Sequence, residues 1–239
     1  MPIQPYYQGN GITLYLGDNR EILPELPSET FDLTVTDPPY LVSYAGRWGS
    51  GGEPIEGDSD PSWVLPTYSE VFRVLREDAL CLTFYGWPHA DVFLGAWRKA
   101  GFRPISVYAF VKRRIGLGQF TRAQHELAYL LAKGKPRRPD NAPSDVLEWA
   151  PVAKQLHPNQ KPVQAISRLV AAYSSATSHI LDPFSGSGTT LLAARYCALP
   201  AVGIEIEERF CEIAARQLSL PMLDLDFRAS LLTYEGEPS

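Results

Sequence analysis

The chain has 239 residues, of which 45% are hydrophobic and 21% charged, and carries a formal net charge of −5. That is chain enough for one sizeable core, in the balance of a soluble globular protein. No run approaches the ~18 apolar residues of a membrane span, and the N-terminus lacks the basic and apolar stretches of a secretory signal, so a cytoplasmic enzyme is expected.

Ile12 to Leu16 reads as the first strand, and Asp18 behind it could cap a short helix near Arg20 to Leu23 or serve a ligand. Leu33 to Thr36 is the second strand and runs straight into Asp37-Pro38-Pro39-Tyr40. Residues 41–62 hold five glycines among prolines and acids and read as a loop. A helix over Tyr68 to Leu75 leads to strands at Leu80 to Tyr85, Ile105 to Val111 and Leu127 to Ala132. Residues 133–162 are rich in Pro, Lys, Arg and Asn and read as a second loop. Val163, Ile166, Leu169, Val170 and Tyr173 recur at helical spacing behind Pro162, which suits a first helical turn. Strands at Ile180 to Asp182 and Ala201 to Ile206 alternate with helices after Gly188 and through Phe210, Ile213, Ala214 and Leu218. Seven strands alternating with helices imply an α/β fold around a mostly parallel sheet. With no internal repeat and no second core, residues 1–239 form a single domain with insertions at about 41–62 and 112–156.

Cys81, Cys197 and Cys211 are isolated and the four histidines scattered, so neither a disulfide nor a metal site is expected. Charge is segregated: residues 98–140 carry +9, leaving −14 for the remainder. Such a pattern fits either a basic face that meets phosphates or a set of solvated loops.

Two segments carry chemistry. His179-Ile180-Leu181-Asp182-Pro183-Phe184-Ser185-Gly186-Ser187-Gly188-Thr189-Thr190 joins an apolar strand to a glycine turn and a helix start. Glycine lets a backbone turn sharply and approach a ligand closely. Roughly twenty residues later Val202-Gly203-Ile204-Glu205 ends a strand in an acid, where nucleotide-binding α/β folds hold ribose hydroxyls. The spacing is neither GxGxxG nor a phosphate loop, and Asp182 ahead of the turn would repel a pyrophosphate but attract an amino group. A nucleoside with a cationic tail fits, and S-adenosylmethionine is the obvious candidate.

In Asp37-Pro38-Pro39-Tyr40, the two prolines stop the ladder and give a rigid projection. The Asp37 carboxylate and the Pro38 carbonyl can each accept one hydrogen of an amino group, and Tyr40 offers a face for stacking. The parts suit a planar heterocycle bearing NH₂. A bare tetrapeptide of this kind could equally be an ordinary turn.

Together the two segments resemble the DNA amino-methyltransferases, whose motifs are (D/N/S)PP(Y/F), here Asp37 to Tyr40, and FxGxG, here Phe184 to Gly188. The likeness runs from about Ile12 to Leu218, and the catalytic motif precedes the cofactor motif, as in the β group of that family. The resemblance implies a Rossmann-like fold with permuted motif order: a seven-stranded sheet, one strand antiparallel, helices on both faces. It makes Asp37, Pro38, Pro39 and Tyr40 the catalytic set. It assigns cofactor binding to Asp18, Asp37, His157, Lys161, Pro162, Asp182, Phe184, Ser185, Gly186, Gly188, Thr189 and Glu205, with Asp18 at the adenine amino group. His157 to Pro162 matches the segment lining the methionine side, although Lys161 could also be a surface charge. The resemblance also implies double-stranded DNA as partner, a flipped-out adenine methylated at N6, and a homodimer. Cytosine N4 is the alternative target, and a non-catalytic DNA-binding protein on the same fold is the alternative of another class. Lys112, Arg113, Arg114, Arg122, Lys135, Arg137 and Arg138 are the candidate DNA contacts.

Overall fold

The computed structural model describes residues 3–41, 60–113, 115–116, 120–149 and 161–221. His157, Arg114 and nearly all of the 41–62 loop lie outside them. The described strands are β1 (Tyr7–Gly9), β2 (Ile12–Leu16), β3 (Phe31–Thr36), β4 (Leu75–Tyr85), β5 (Arg103–Lys112), β6 (His125–Ala132), β7 (Val146–Trp149), β8 (Ile180–Asp182) and β9 (Ala201–Glu205). They form one sheet in the order β1-β2-β9-β8-β3-β4-β6-β5-β7. The seven expected strands are all present, and β6 is the antiparallel one among them.

The sheet has two strands more than expected, one at each edge. β1 pairs antiparallel with β2, and β7 runs parallel to β5, inside the stretch that composition marks as loop. β1 is only three residues, Tyr-Gln-Gly, and β7 alternates about Glu148, so neither offers the apolar run of a buried strand. Edge strands pair on one side only and can be this short.

Helices cover both faces. α1 (Asn19–Ile22), α2 (Val64–Val74) and α3 (Ala90–Ala100) lie on one, while α4 (Val163–Tyr173), α5 (Thr189–Tyr196) and α6 (Glu208–Ser219) lie on the other. Strand alternation divides the core: Leu80, Leu82 and Phe84 of β4 face α4 to α6, whereas Ala79, Cys81 and Tyr85 face α2 and α3. α3, not foreseen from the sequence, buries Phe93, Ala96 and Trp97 at i, i+3, i+4 and stops at Gly101 with φ +109°. Among the described residues no helix is long and apolar enough to cross a membrane.

This topology places the site. β8 leads through α5 to β9 on one side of the sheet, while β3 leads through α2 to β4 on the other. The strand order reverses between β8 and β3, the switch point where open α/β sheets bind ligands. The carboxyl ends of β2, β9, β8, β3 and β4 therefore share one edge with the amino end of antiparallel β6.

Candidate active site

The glycine turn is built by its own backbone. Ser185 N donates to Ile204 O at 2.9 Å and Gly188 N to Ser185 O at 2.8 Å. Gly188 has φ +86°, and a Cβ there would stand 2.8 Å from that of Ala214, so α5 can begin against α6 only with glycine. Gly186, at φ +50°, has nothing within 4 Å of where a Cβ would lie: it faces open space. Glu205, at the end of β9, accepts from Gly186 N at 2.7 Å and from Glu207 N at 2.9 Å. Burial raises its carboxyl, with those amides opposing. The Ser185 hydroxyl is buried with no partner among the described residues. An open glycine, an unpartnered hydroxyl and an acceptor-only carboxylate fit a nucleoside with a ribose diol.

Around this cradle Phe184 packs edge-on against Trp63, ring centroids 5.1 Å apart. Asn19 donates to Pro183 O at 3.0 Å and accepts from Thr67 Oγ1 at 3.2 Å, tying the turn to α1 and α2. Thr189 opens α5, and Pro162 opens α4 by accepting from Ile166 N. Asp18 caps α1, accepting from Arg20 N at 2.8 Å and pairing with the Arg20 side chain. Gly17 N donates to Glu205 O at 2.8 Å, which keeps this cap beside the end of β9.

Asp182 joins the cradle to the second motif. It is 3% exposed and accepts from Thr36 Oγ1 at 2.8 Å and from Phe184 N at 3.2 Å. Burial pushes its carboxyl up to about 7. Thr36 immediately precedes Asp37, so one hydrogen bond couples segments 146 positions apart.

Asp37 sits in a half-buried cluster of charge around the buried Lys161. Lys161 Nζ lies 2.8 Å from Asp37 Oδ2, 2.6 Å from Glu126 Oε2 and 3.0 Å from the Tyr40 hydroxyl. Tyr40 donates to Asp37 Oδ1 at 2.8 Å. Lys112 Nζ holds the other Glu126 oxygen at 2.6 Å. Aromatic rings cover the Lys161 ammonium, with Phe84 at 4.5 Å and Tyr40 and Trp149 at 5.4 Å. Burial raises the Asp37 carboxyl, with Lys161 opposing and Glu126 adding to the rise. Burial also pushes Glu126 up, but Lys161 and Lys112 outweigh it and hold Glu126 below its usual range. Lys161 is held above its own range because Asp37 and Glu126 outweigh its burial.

Two expectations need correction. Lys161 is 7% exposed and contacts the Asp37 carboxylate directly, so it is not a surface charge. The six of the seven basic residues that lie among the described residues do not form one face. Lys112 is committed to Glu126, and Arg113 pairs with Glu148. Lys135 follows β6, whose carboxyl end lies beside the amino end of β4, and its backbone N donates to Asp78. At ~3.3 Å per residue that is roughly 25 Å from the catalytic edge. Arg137 pairs with Asp140, and Arg138 is exposed in the same connection. Arg113 and Arg122 flank the β5–β6 connection at the catalytic edge, where Phe120 is 99% exposed.

Glu126, Trp149 and Phe84 were not singled out from the sequence. Glu126 had one available signal: it is one of only two acids in the +9 segment, and it opens an apolar strand.

Comparison with known proteins agrees with this geometry. A family model described as DNA methylase matches residues 31–216. The protein YubD of Escherichia coli (strain K12) is 36% identical over 203 residues, covering 85% of this chain and 88% of its own. The crystal structure of an M1.HpyAVI–SAM complex superposes with TM-score 0.67 at 21% identity, covering 86% of this chain and 99% of that one. A structure titled PvuII DNA methyltransferase (cytosine-N4-specific) superposes with TM-score 0.76 at 16% identity, covering 97% and 96%. At these identities the two structures show a shared fold.

Proposed function

The chain belongs to the N6/N4 DNA methylase family, and from that premise we propose that it methylates the N6 amino group of an adenine flipped out of double-stranded DNA. The observation that carries the reading is the Thr36–Asp182 bond, which sets Asp37 and Tyr40 beside the glycine cradle. Bound in that cradle, S-adenosylmethionine supplies an electrophilic methyl group. Glu205 would hold its ribose hydroxyls and Asp182 would face its ammonium, with Asp18 offering an acceptor to the adenine amino group.

The chain's own residues do the rest. A base within a duplex cannot reach a recessed methyl donor, and flipping it costs a few kcal/mol. Stacking on the Tyr40 ring offsets part of that cost, by roughly 1–3 kcal/mol. Asp37 and the Pro38 carbonyl accept the two amino hydrogens and turn the nitrogen lone pair toward the methyl. The Asp37-Pro38-Pro39-Tyr40 form of the motif supports adenine over cytosine. Arg113 and Arg122, beside the site, are the proposed phosphate and base contacts. A homodimer would extend so small a reader across a symmetric DNA site.

The test is to express the protein in cells free of adenine and cytosine amino methylation and to sequence their DNA with modified-base detection. N6-methyladenine in one sequence context, absent with Asp37→Ala, is the expected result. N4-methylcytosine would overturn the base assignment, and unmodified DNA would overturn the activity.

A further inference from the structure

We propose that Glu126 is a positioning residue for methyl transfer, sharing Lys161 with Asp37 so that the catalytic carboxylate is held in place without being bound up in a private ion pair. The inference rests on the amino-methyltransferase reading above. An ammonium has three N–H donors, and the three acceptors around Lys161 are Asp37, Glu126 and the Tyr40 hydroxyl. Tyr40 donates its hydroxyl hydrogen bond to the second Asp37 oxygen. Both Asp37 oxygens are thus fixed by groups that Glu126 also engages, since Glu126 Oε2 lies 3.2 Å from the same hydroxyl. Lys112 holds the far side of Glu126 and balances the charge, two carboxylates against two ammonium groups. The rings lie over Lys161, the one buried member of the network, and its three engaged donors hold it in place.

The chemistry explains why sharing matters. Transfer forms a C–N bond as the C–S bond breaks, and the sulfur keeps the bonding pair. The nitrogen becomes cationic and releases one N–H proton to the Asp37 carboxylate, which returns it to water as product leaves. A carboxylate with a lysine entirely its own is a poor proton acceptor. Glu126 draws on the same ammonium and repels negative charge on Asp37, so Asp37 keeps its affinity for that proton.

The charged and titratable groups facing Asp37 among the described residues are Lys161 ahead of α4, Glu126 on β6, Tyr40 on its own loop, Asp182 on β8 and Tyr68 on α2, with Lys112 of β5 acting through Glu126. The test is to titrate the Asp37 carboxyl in the free full-length protein by difference infrared spectroscopy, with Asp37→Asn identifying its band. Glu126→Gln is expected to lower the midpoint and Lys161→Met to raise it. If Lys161→Met fails to fold, Lys112→Met replaces it: Glu126 then draws harder on Lys161, and the Asp37 midpoint rises. On DNA, Glu126→Gln is expected to reduce kcat ~10²-fold, with KM for DNA and cofactor little changed. Glu126→Asp should recover part of the loss. An Asp37 midpoint unchanged by Glu126→Gln, or moved in the same direction by both variants, overturns the proposal and leaves the methyltransferase reading standing. Unmodified DNA with the wild type would sink that reading while leaving the titration result intact.

Discussion

Asp37 has an engaged neighbour on each oxygen before any substrate arrives, Tyr40 on one and Lys161 on the other. A carboxylate oxygen has a second lone pair, so a target amino group can add to this arrangement without dismantling it. In the proposed mechanism Asp37 is the anionic acceptor at the reacting nitrogen, and its loss would remove stabilisation specific to the transition state. Asp37→Ala is therefore expected to slow single-turnover methylation at least ~10³-fold, about 4 kcal/mol of barrier, while cofactor affinity changes far less. Near-normal turnover would remove Asp37 from the mechanism. In the same proposed mechanism Tyr40 has two jobs that mutation can separate. Tyr40→Phe keeps the stacking face and loses the hydrogen bond donated to Asp37, so it should retain much of the activity, whereas Tyr40→Ala should lose most of it. Equal losses would show that the hydroxyl alone matters. On the cofactor side, Glu205→Ala is expected to weaken adenosylmethionine binding by roughly 1–3 kcal/mol by calorimetry, the cost of hydroxyls left unpaired. Unchanged affinity would take Glu205 out of the ribose site.

At the scale of elements, the sequence reveals those parts of the site that lie within single segments. The glycine turn, the terminal acid of β9 and the Asp-Pro-Pro-Tyr projection are local patterns, and apolar runs bounded by turn residues betray the seven central strands. The edge strands β1 and β7 lack that signal because half of their pairing surface is open. The charge cluster is invisible for another reason. Tyr40, Glu126 and Lys161 are 86 and 35 positions apart in turn, and only the antiparallel course of β6 brings Glu126 to the catalytic edge. The same course of β6 splits the basic segment, carrying Lys135 away from the edge where Arg113 and Arg122 remain. Alanine at Arg113 or Arg122 should therefore weaken DNA binding, lowering the log–log salt slope by about 1 for a phosphate contact. A base contact would instead cost ~1–3 kcal/mol, chiefly on the cognate duplex. Alanine at Lys135 should do neither. A loss at Lys135 equal to that at Arg113, in binding titrations at several salt concentrations, would mean that DNA reaches the opposite end of the sheet.

Across the whole molecule, the carboxyl edge is assembled at a cost to stability. Burial raises Asp37, Asp182 and Glu205, so each binds its proton more tightly in the folded chain than in the unfolded one. A raised acid gives its full stabilising contribution below its unfolded value, and that contribution is lost as pH rises through the folded value. For Asp182 the window opens near 4, the unperturbed value, and closes at about 7. Glu126 is displaced the other way, so its contribution is complete above its unfolded value and is lost as pH falls through the lower folded one, outside the range from pH 5 to 8. The ligand-free protein should thus melt at a higher temperature at pH 5 than at pH 8. Each pH unit of that window is worth ~1.4 kcal/mol, and a chain of this size melts ~2–4 °C lower per kcal/mol lost, so the expected fall is on the order of 5–10 °C. Asp182→Asn keeps an acceptor oxygen for Thr36 and Phe184 and should flatten the profile. The cofactor should show the opposite trend: its ammonium favours ionised Asp182, so affinity should rise through the same window, and saturating cofactor should restore the stability lost at pH 8. Melting curves and calorimetry across pH 5 to 8, with and without adenosylmethionine, check both. A profile that keeps its slope in Asp182→Asn would show that another group titrates, and an affinity independent of pH would move the ammonium away from Asp182.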